Sequence, residues 1–390
     1  MIRRTVSLVA VAILCCATQA SAQTLSDVLR FLMTNRTVAT DDFVRDAQAA
    51  NAAGDAVSGS LLIDLSTFPI STSAGGFTYR LDPTLGINVR ATDAFDPFFT
   101  RRALTPGAGQ YTVGVSYQQS SFRTIDGRAL RDGTLISTAS VVRGQTDFFD
   151  VETLTLRLQT DTATFVANAG VTDRLEAGIA LPMVRITLDG ERHDNYRGRD
   201  SLQAVASSTT SGPGDARLDA RYEILRTSMG GVAVGGQTLL PTGNAHNLLG
   251  TGKISGGPLL IGSIGDERTS VHGNIGYSVG GLSKSLEYDG AAIFAASRRL
   301  TLIGEVTGQR LASVGRLTQT IAPNPTLINI DTARLTSTNQ PIMRTVVVGG
   351  VRWNFRSTWL FSANVLRSLT VAGLNARWTP TITVDHSFGQ

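Results

Sequence analysis

Across 390 residues, 35 basic and 31 acidic side chains nearly cancel, leaving +4, and so small an excess excludes the concentrated basic surface that a nucleic-acid partner requires. Hydrophobic residues make up 42% of the chain and glycine contributes 40 positions. Beyond the first twenty residues no apolar run approaches the roughly 18 needed for a helical span. Helical membrane proteins are thereby excluded, and a soluble protein or a β-barrel remains.

Residues 1–22 read as an export signal: Arg3 and Arg4, an apolar run through Cys16, then Ala20-Ser21-Ala22 as a small-residue cleavage site. The apolar core is too short to cross a bilayer, and Leu14 ahead of Cys15 does not suit a lipoprotein. Cleavage takes away both cysteines and, of the 35 basic residues, Arg3 and Arg4, so that 33 stand against 31 acidic ones. An exported chain of this size without cysteine suits a barrel closed by its own hydrogen bonds, which needs no disulfides.

Residues 23–75 differ from everything after them. Thr24 followed by Asp27 predicts a capping box that opens a short helix through Val28, Leu29, Phe31 and Leu32, and an alanine-rich stretch from Asp41 to about Ala53 predicts a second. Two such pieces carry too little apolar surface to fold alone. The segment is expected either to plug the barrel or to hang from it as a periplasmic tail.

Residues 76–390 read as strands. Phe77 to Leu81 follow a Ser/Gly/Thr stretch, and from Gln110 the alternation is regular: Tyr111, Val113, Val115 and Tyr117 against Thr112, Gly114 and Ser116. A long strand, or two abutting ones, is predicted over Asp150–Val171, followed by a turn at Thr172–Arg174 and an outward face of Leu175, Ala177, Ile179, Leu181 and Met183. A polar loop is expected at Asp189–Ser211. Then Asp215, Arg217, Asp219, Arg221 and Glu223 alternate with Ala216, Leu218, Ala220, Tyr222 and Ile224, the period of two that places opposite environments on the two faces of a strand. Burying five charges unpaired would cost several kcal/mol each, so that row needs water or partners.

The same rule puts His272 and Asn274 opposite Val271, Gly273 and Ile275. It sets Glu305 opposite Leu302 and Val306, and Arg352 and Asn354 opposite Val351, Trp353 and Phe355. Short connections at Thr172–Arg174, Arg226–Gly230, Gly265–Glu267, Arg298 and Arg356–Thr358 alternate with long ones, the longest at Asp189–Ser211 and Ala312–Ile342. Short turns on one rim and long loops on the other are the signature of an outer-membrane barrel. The fold class is therefore all-β: a transmembrane antiparallel up-and-down barrel of about 12 strands with a short, partly helical N-terminal segment. Trp353, Trp359, Phe355 and Phe361 flank a short turn where an interfacial girdle is expected.

The elements Gly212-Pro213-Gly214-Asp215, Arg221-Tyr222, Leu240-Pro241-Thr242-Gly243 and Leu249-Gly250-Thr251-Gly252 resemble the outer-membrane family named for the meta-pathway of phenol degradation. The likeness is specific across about forty residues and marks a barrel rather than a reaction. It implies a porin-like channel for small, hydrophobic or aromatic compounds, with outer-membrane lipid and the barrel assembly machinery as partners. That machinery reads a terminal aromatic residue; here Phe388 is followed by Gly389 and Gln390.

The inner rows nominate Asp215, Arg217, Asp219, Arg221, Glu223, His272, Asn274, Glu305, Arg352 and Asn354 as lumen-lining residues for permeation, against a plain wall-supporting role. A structural or adhesion-type barrel that works through its long loops is the second reading. The third is a barrel lipase: Gly276-Tyr277-Ser278-Val279-Gly280 fits a nucleophile pattern, with His272 on the same face, but lacks the helix that should follow. Gly250-Thr251-Gly252-Lys253 lacks the earlier glycine and following Ser/Thr of a phosphate loop. His193, His246, His272 and His386 show no metal-ligand spacing. No catalytic set, metal or cofactor is expected.

Overall fold

The computed structural model describes residues 24–67, 79–81, 88–90, 94–227, 229–356 and 358–389; the expected export signal lies outside them. Twelve strands form the barrel: β1 (Gln110–Ile125), β2 (Phe148–Gly170), β3 (Leu175–Tyr196), β4 (Ala216–Thr227), β5 (Gly230–Leu240) and β6 (Ser255–Gly265), then β7 (Thr269–Gly280), β8 (Ser285–Ser297), β9 (Leu300–Pro323), β10 (Ile330–Arg356), β11 (Trp359–Ser368) and β12 (Thr379–Gly389). Each pairs antiparallel with its neighbours in sequence, and β12 closes on β1 with Phe388 opposite Tyr111. Closure leaves no sheet edge in the ring. The short turns gather on one rim and the long connections on the other.

Hydrocarbon outside the wall and polar groups inside it explain the part of the strands nearer the short-turn rim. On β1 the large side chains Tyr111, Val113, Val115 and Tyr117 are exposed on the outer face while Thr112, Ser116 and Ser120 are buried inside. Leu218 and Ile224 on β4 are 39% and 53% exposed, so no second sheet covers them. Gly308 on β9 sits directly opposite Tyr288 on β8. A Cβ there would lie 2.3 Å from the Tyr288 ring, so only glycine lets the ring lie flat on the outer surface.

Higher up, the rule inverts. On β2 the outer face runs Ala169, Ala167, Phe165, Ala163 and then Asp161, Gln159, Arg157, Thr155, while the inner face passes from Asn168 and Thr164 to buried Leu158, Leu156 and Leu154. Its partner β3 changes at the same level, from Met183, opposite Ala163, to Arg185, opposite Asp161. An Arg facing hydrocarbon at the midplane costs about 2–4 kcal/mol, so this row marks the edge of the lipid belt. Beyond it the outside is water and the inside is a packed apolar core.

That core explains two corrections. The expected loops Asp189–Ser211 and Ala312–Ile342 are instead strand: β3 continues to Tyr196 and returns as Arg199–Pro213, and β9 and β10 run as one long hairpin to Pro323 and back from Ile330. With Leu135–Val142 inserted between β2 and β10, these pieces make a six-stranded sheet above the belt. Its polar composition hid it, because one face is solvated.

The helices pack under this sheet. The capping box is present: the Thr24 hydroxyl accepts from the Asp27 amide at 3.2 Å, starting α1 (Leu25–Met33). The second helix, α2 (Phe43–Thr67), runs well past the expected end at Ala53. Its buried face includes Asp46, Ala50, Ala53, Val57, Ser60 and Asp64 at 4-3-4-3-4 spacing and widens at its end to take in Leu61, Leu62 and Ile63, and the buried aspartates conceal it in sequence. Asp46 pairs with Arg334 and Asp64 with Arg344, each at 2.6 Å. The helix rises about 27 Å between those aspartates and β10 about 33 Å between those arginines, so α2 descends alongside β10 into the barrel.

The belt edge is testable with spin labels in liposomes. Labels at Ala163 and Met183 should relax with oxygen, and labels at Gln159 and Arg185 with a water-soluble nickel chelate. Equal behaviour at all four positions would remove the inversion.

Candidate functional site: the occupied lumen and its polar cleft

Charged side chains turned inward in a closed barrel need partners. Several find them in the main chain of residues that precede β1. Glu305 accepts from the amides of Phe98, Phe99 (3.1 Å) and Thr100 (2.9 Å) and from the Thr100 hydroxyl. Glu152, fully buried above the belt, takes the amides of Arg36 and Thr37 at 3.0 and 3.2 Å. Glu223 accepts from the Thr105 amide at 3.3 Å and is paired to Arg226. Three wall glutamates thus satisfy amides that belong to no helix or sheet.

Wall arginines take the carbonyls. Arg192 donates to Phe31 and Thr34 at the end of α1 (3.0 and 2.6 Å), and Arg217 to Ser66 at the end of α2 (2.8 Å). Arg352 donates to Pro97 (2.8 Å), lies under the Phe98 ring and pairs with Asp385. Arg221 donates to the Arg102 carbonyl and pairs with Glu176. The Asn274 amide, oriented to satisfy both ends, accepts from Arg101 N at 2.6 Å and donates to its carbonyl at 3.0 Å. Residues 94–108 therefore cross the lumen from β9 to the β2–β3 turn, where the Thr105 hydroxyl donates to Asp173 O. Phe98 and Phe99 bury their rings against Ile293, Ile303, Val346 and Val348, burial worth about 1.5–3 kcal/mol each. Sequence reasoning passed over this crossing; the signal was three phenylalanines, Phe95, Phe98 and Phe99, in a stretch without alternation.

The remaining nominated residues have other neighbours. Asp219 faces Arg101 at 3.6 Å. His272 is held at both ring nitrogens, by Ser263 (2.8 Å) and Ser270 (3.0 Å). Asn354 is buried on the inner face of β10. Asp215 sits at the long-loop rim rather than within the lumen, and explains the motif around it. Its carboxylate accepts from Gly243 N (3.0 Å), Thr251 N (2.6 Å) and the Thr251 hydroxyl (2.8 Å), while Thr242 bridges Gly214 O and Ala216 N. A Cβ on Gly250 would lie 2.2 Å from Asp215 Oδ1. The Gly-Pro-Gly-Asp, Leu-Pro-Thr-Gly and Leu-Gly-Thr-Gly elements form one latch that folds the loop inward and buries Leu248 and Leu249 against the helices.

Above the crossing segment lies a cleft of about 120 Å³ that opens at the long-loop rim beside Gly280–Ser283. Its floor is Phe99 and Arg101; its sides include Arg217, Gln237, Glu287, Asp289 and Gln309. The surface is about half polar and half apolar and carries both signs of charge. Ser278 is on this wall, but in the middle of continuous β7 rather than on a strand-to-helix elbow, and His272 is already bonded elsewhere. Among the described residues no cluster is arranged to hold a metal.

At the top of β2, burial pushes the Asp150 carboxyl up to about 6, helped by the charge and hydrogen bond of Asp194. A proton is therefore bound more tightly in the folded state, and the stability it confers is lost as pH rises through about 6.

No protein-family model matches the chain, and no curated protein matches its sequence. Among solved structures, an outer membrane channel from Pseudomonas putida F1 is similar at 13% identity and TM-score 0.45, over 73% of this chain and 98% of that one. A FadL homologue from Pseudomonas aeruginosa is similar at 10% identity and TM-score 0.34, over 81% and 96%. The Ralstonia pickettii toluene transporter TbuX is similar at 12% identity and TM-score 0.28, over 74% and 91%. At these scores the likeness says nothing about solute or mechanism.

Two outcomes follow from the geometry. Asp215→Ala removes three charge-assisted bonds and should cost about 3 kcal/mol of local stability, so that trypsin cleavage after Lys253 becomes fast; unchanged cleavage would refute the latch. Asp150→Asn should raise the unfolding temperature over the parent by an amount that grows from pH 4 to about pH 6 and then levels off. A difference independent of pH would contradict the assigned shift.

Proposed function

We propose that the chain is an outer-membrane channel with its short-turn rim in the periplasm, and that its own N-terminal segment restricts the pore. The observation that carries this reading is the polar cleft. It enters the barrel from the long-loop rim and is stopped by residues 94–105, which are held by side-chain bonds and apolar packing rather than built into the wall. A barrel needing only to stand as a scaffold has no use for a mixed-charge recess of this kind. Passage past the crossing segment requires Glu305 and Arg352 to release it, so conductance is expected to be small and intermittent.

Passive uptake of small solutes, outer-membrane placement, handling by the assembly machinery and membership of the phenol meta-pathway family all belong to this proposal. The charged groups of both signs in the lining favour small charged or hydrophilic solutes in the cleft over the aromatic compounds that the family resemblance implies.

Planar-bilayer recording tests it. The parent should give small, brief openings, and the double variant Glu305→Ala with Arg352→Ala severalfold larger and longer ones. Silence from both, with each correctly inserted by heat-modifiable gel mobility, would overturn the channel reading.

A further inference from the structure

We infer that the cleft is a binding site for a small zwitterion, a molecule bearing one carboxylate and one ammonium group, of the size of a simple α-amino acid. This rests on the channel reading only for its physiological meaning; binding can be measured without transport.

The inference starts from how charge is distributed on the cleft wall. On the floor, Arg101 is only 6% exposed, and its Nη1 has no hydrogen-bond partner among the described residues. Its ion pair with Asp219 is long, at 3.6 Å, and its other terminal nitrogen reaches Gln237 at 3.4 Å. Arg217, from β4, is satisfied by the Ser66 carbonyl and faces no carboxylate within ion-pair distance among the described residues. Two guanidinium groups are thus available to one anion, with the fork geometry that suits a carboxylate.

Acids stand on β8. Glu287 accepts from Gln237 and from the Ser285 hydroxyl at 3.2 Å, and Asp289 accepts from the Thr307 hydroxyl. Neither has a cationic partner within ion-pair distance among the described residues. Neutral donors orient these carboxylates without a direct ion pair, and Arg217 and Arg101 act on them only across the recess, an arrangement that an interposed ammonium group completes.

The cationic groups come from the crossing segment and β4 and the acids from β8, and all of them share one recess. Apart from the long Arg101–Asp219 contact, the cleft cations and the β8 acids make no direct ion pairs among the described residues. A zwitterion can bridge them, whereas a simple anion or cation answers one half and leaves the other uncompensated. The recess offers about 120 Å³ to the centres of water-sized molecules, enough for about ten waters at the roughly 10–15 Å³ one water needs on that measure, and so has room for an amino acid with a small side chain. Gly256, Gly280 and Gly281 line it without side chains, keeping the entrance open.

The test uses the full-length protein in detergent and calorimetric titration with three probes of similar size: alanine, propionate and propylamine. Alanine should bind, with propionate and propylamine each at least about tenfold weaker, a difference of about 1.4 kcal/mol. Arg217→Gln should weaken alanine at least tenfold and leave propylamine unchanged; Glu287→Gln should weaken alanine and leave propionate unchanged. Asp289→Asn serves as a third variant should either of these misfold, and heat-modifiable mobility reports folding of all of them. Equal binding of the three probes, absence of alanine binding, or variants that leave the preference intact would overturn the inference. Bilayer recording on the same preparations separates the two proposals: conductance without alanine binding removes this site and leaves the channel, and alanine binding without conductance does the reverse.

Discussion

The interaction on which this structure depends is the hydrogen bond between a buried wall carboxylate and a main-chain amide of the internal segment. A barrel that spans lipid must turn its polar side chains inward, and an irregular segment inside it must find donors and acceptors for its own backbone. Each requirement answers the other. Glu152, Glu305 and Glu223 take amides at three heights, while Arg192, Arg217, Arg352 and Arg221 take carbonyls. Removing either side alone would leave charges or peptide groups buried without partners, at a cost of several kcal/mol.

The same bonds position the cleft. With α2 tied to β10 through Asp46–Arg334 and Asp64–Arg344, and residues 94–105 fixed across the lumen, the space left over lies against β4 to β9 and opens at the long-loop rim. Strands there are rich in glycine, and among their inner charges Glu287 and Asp289 are not consumed by the segment's backbone. Structure and function therefore divide the inner wall between them: one part grips the chain, the other faces solvent.

Much of the barrel was legible in the sequence because a strand between lipid and a polar interior writes its period of two directly into the residues. Strand number, the inward row from Arg217 to Glu223, the turn positions and the girdle of Trp353, Phe355 and Trp359 all follow from that alternation. What was hidden is what the alternation does not encode. Above the belt the faces exchange roles, so the stretch from Asp189 to Ser211 looked like a loop although most of it stands on strands. The first three turns of the buried face of α2 present only Asp46, Ala50 and Ala53, which carry little hydrophobic signal. Which groups would meet the inner charges could not be read at all, since the partners are backbone atoms. The Asp215 latch shows the converse: the motif was visible, but its meaning as a loop fastening appears only when Gly243 and Thr251 are seen on one carboxylate.

The central claim is most directly measured by amide hydrogen exchange in detergent micelles at Phe98, Phe99 and Thr100, with Arg36 and Thr37 as the second clamp. These residues lie outside every helix and barrel strand, so ordinary loops of their kind would exchange rapidly. The account predicts protection comparable to that of the neighbouring barrel strands, lost at Phe98–Thr100 alone in Glu305→Ala. Rapid exchange at both clamps in the parent protein would contradict it.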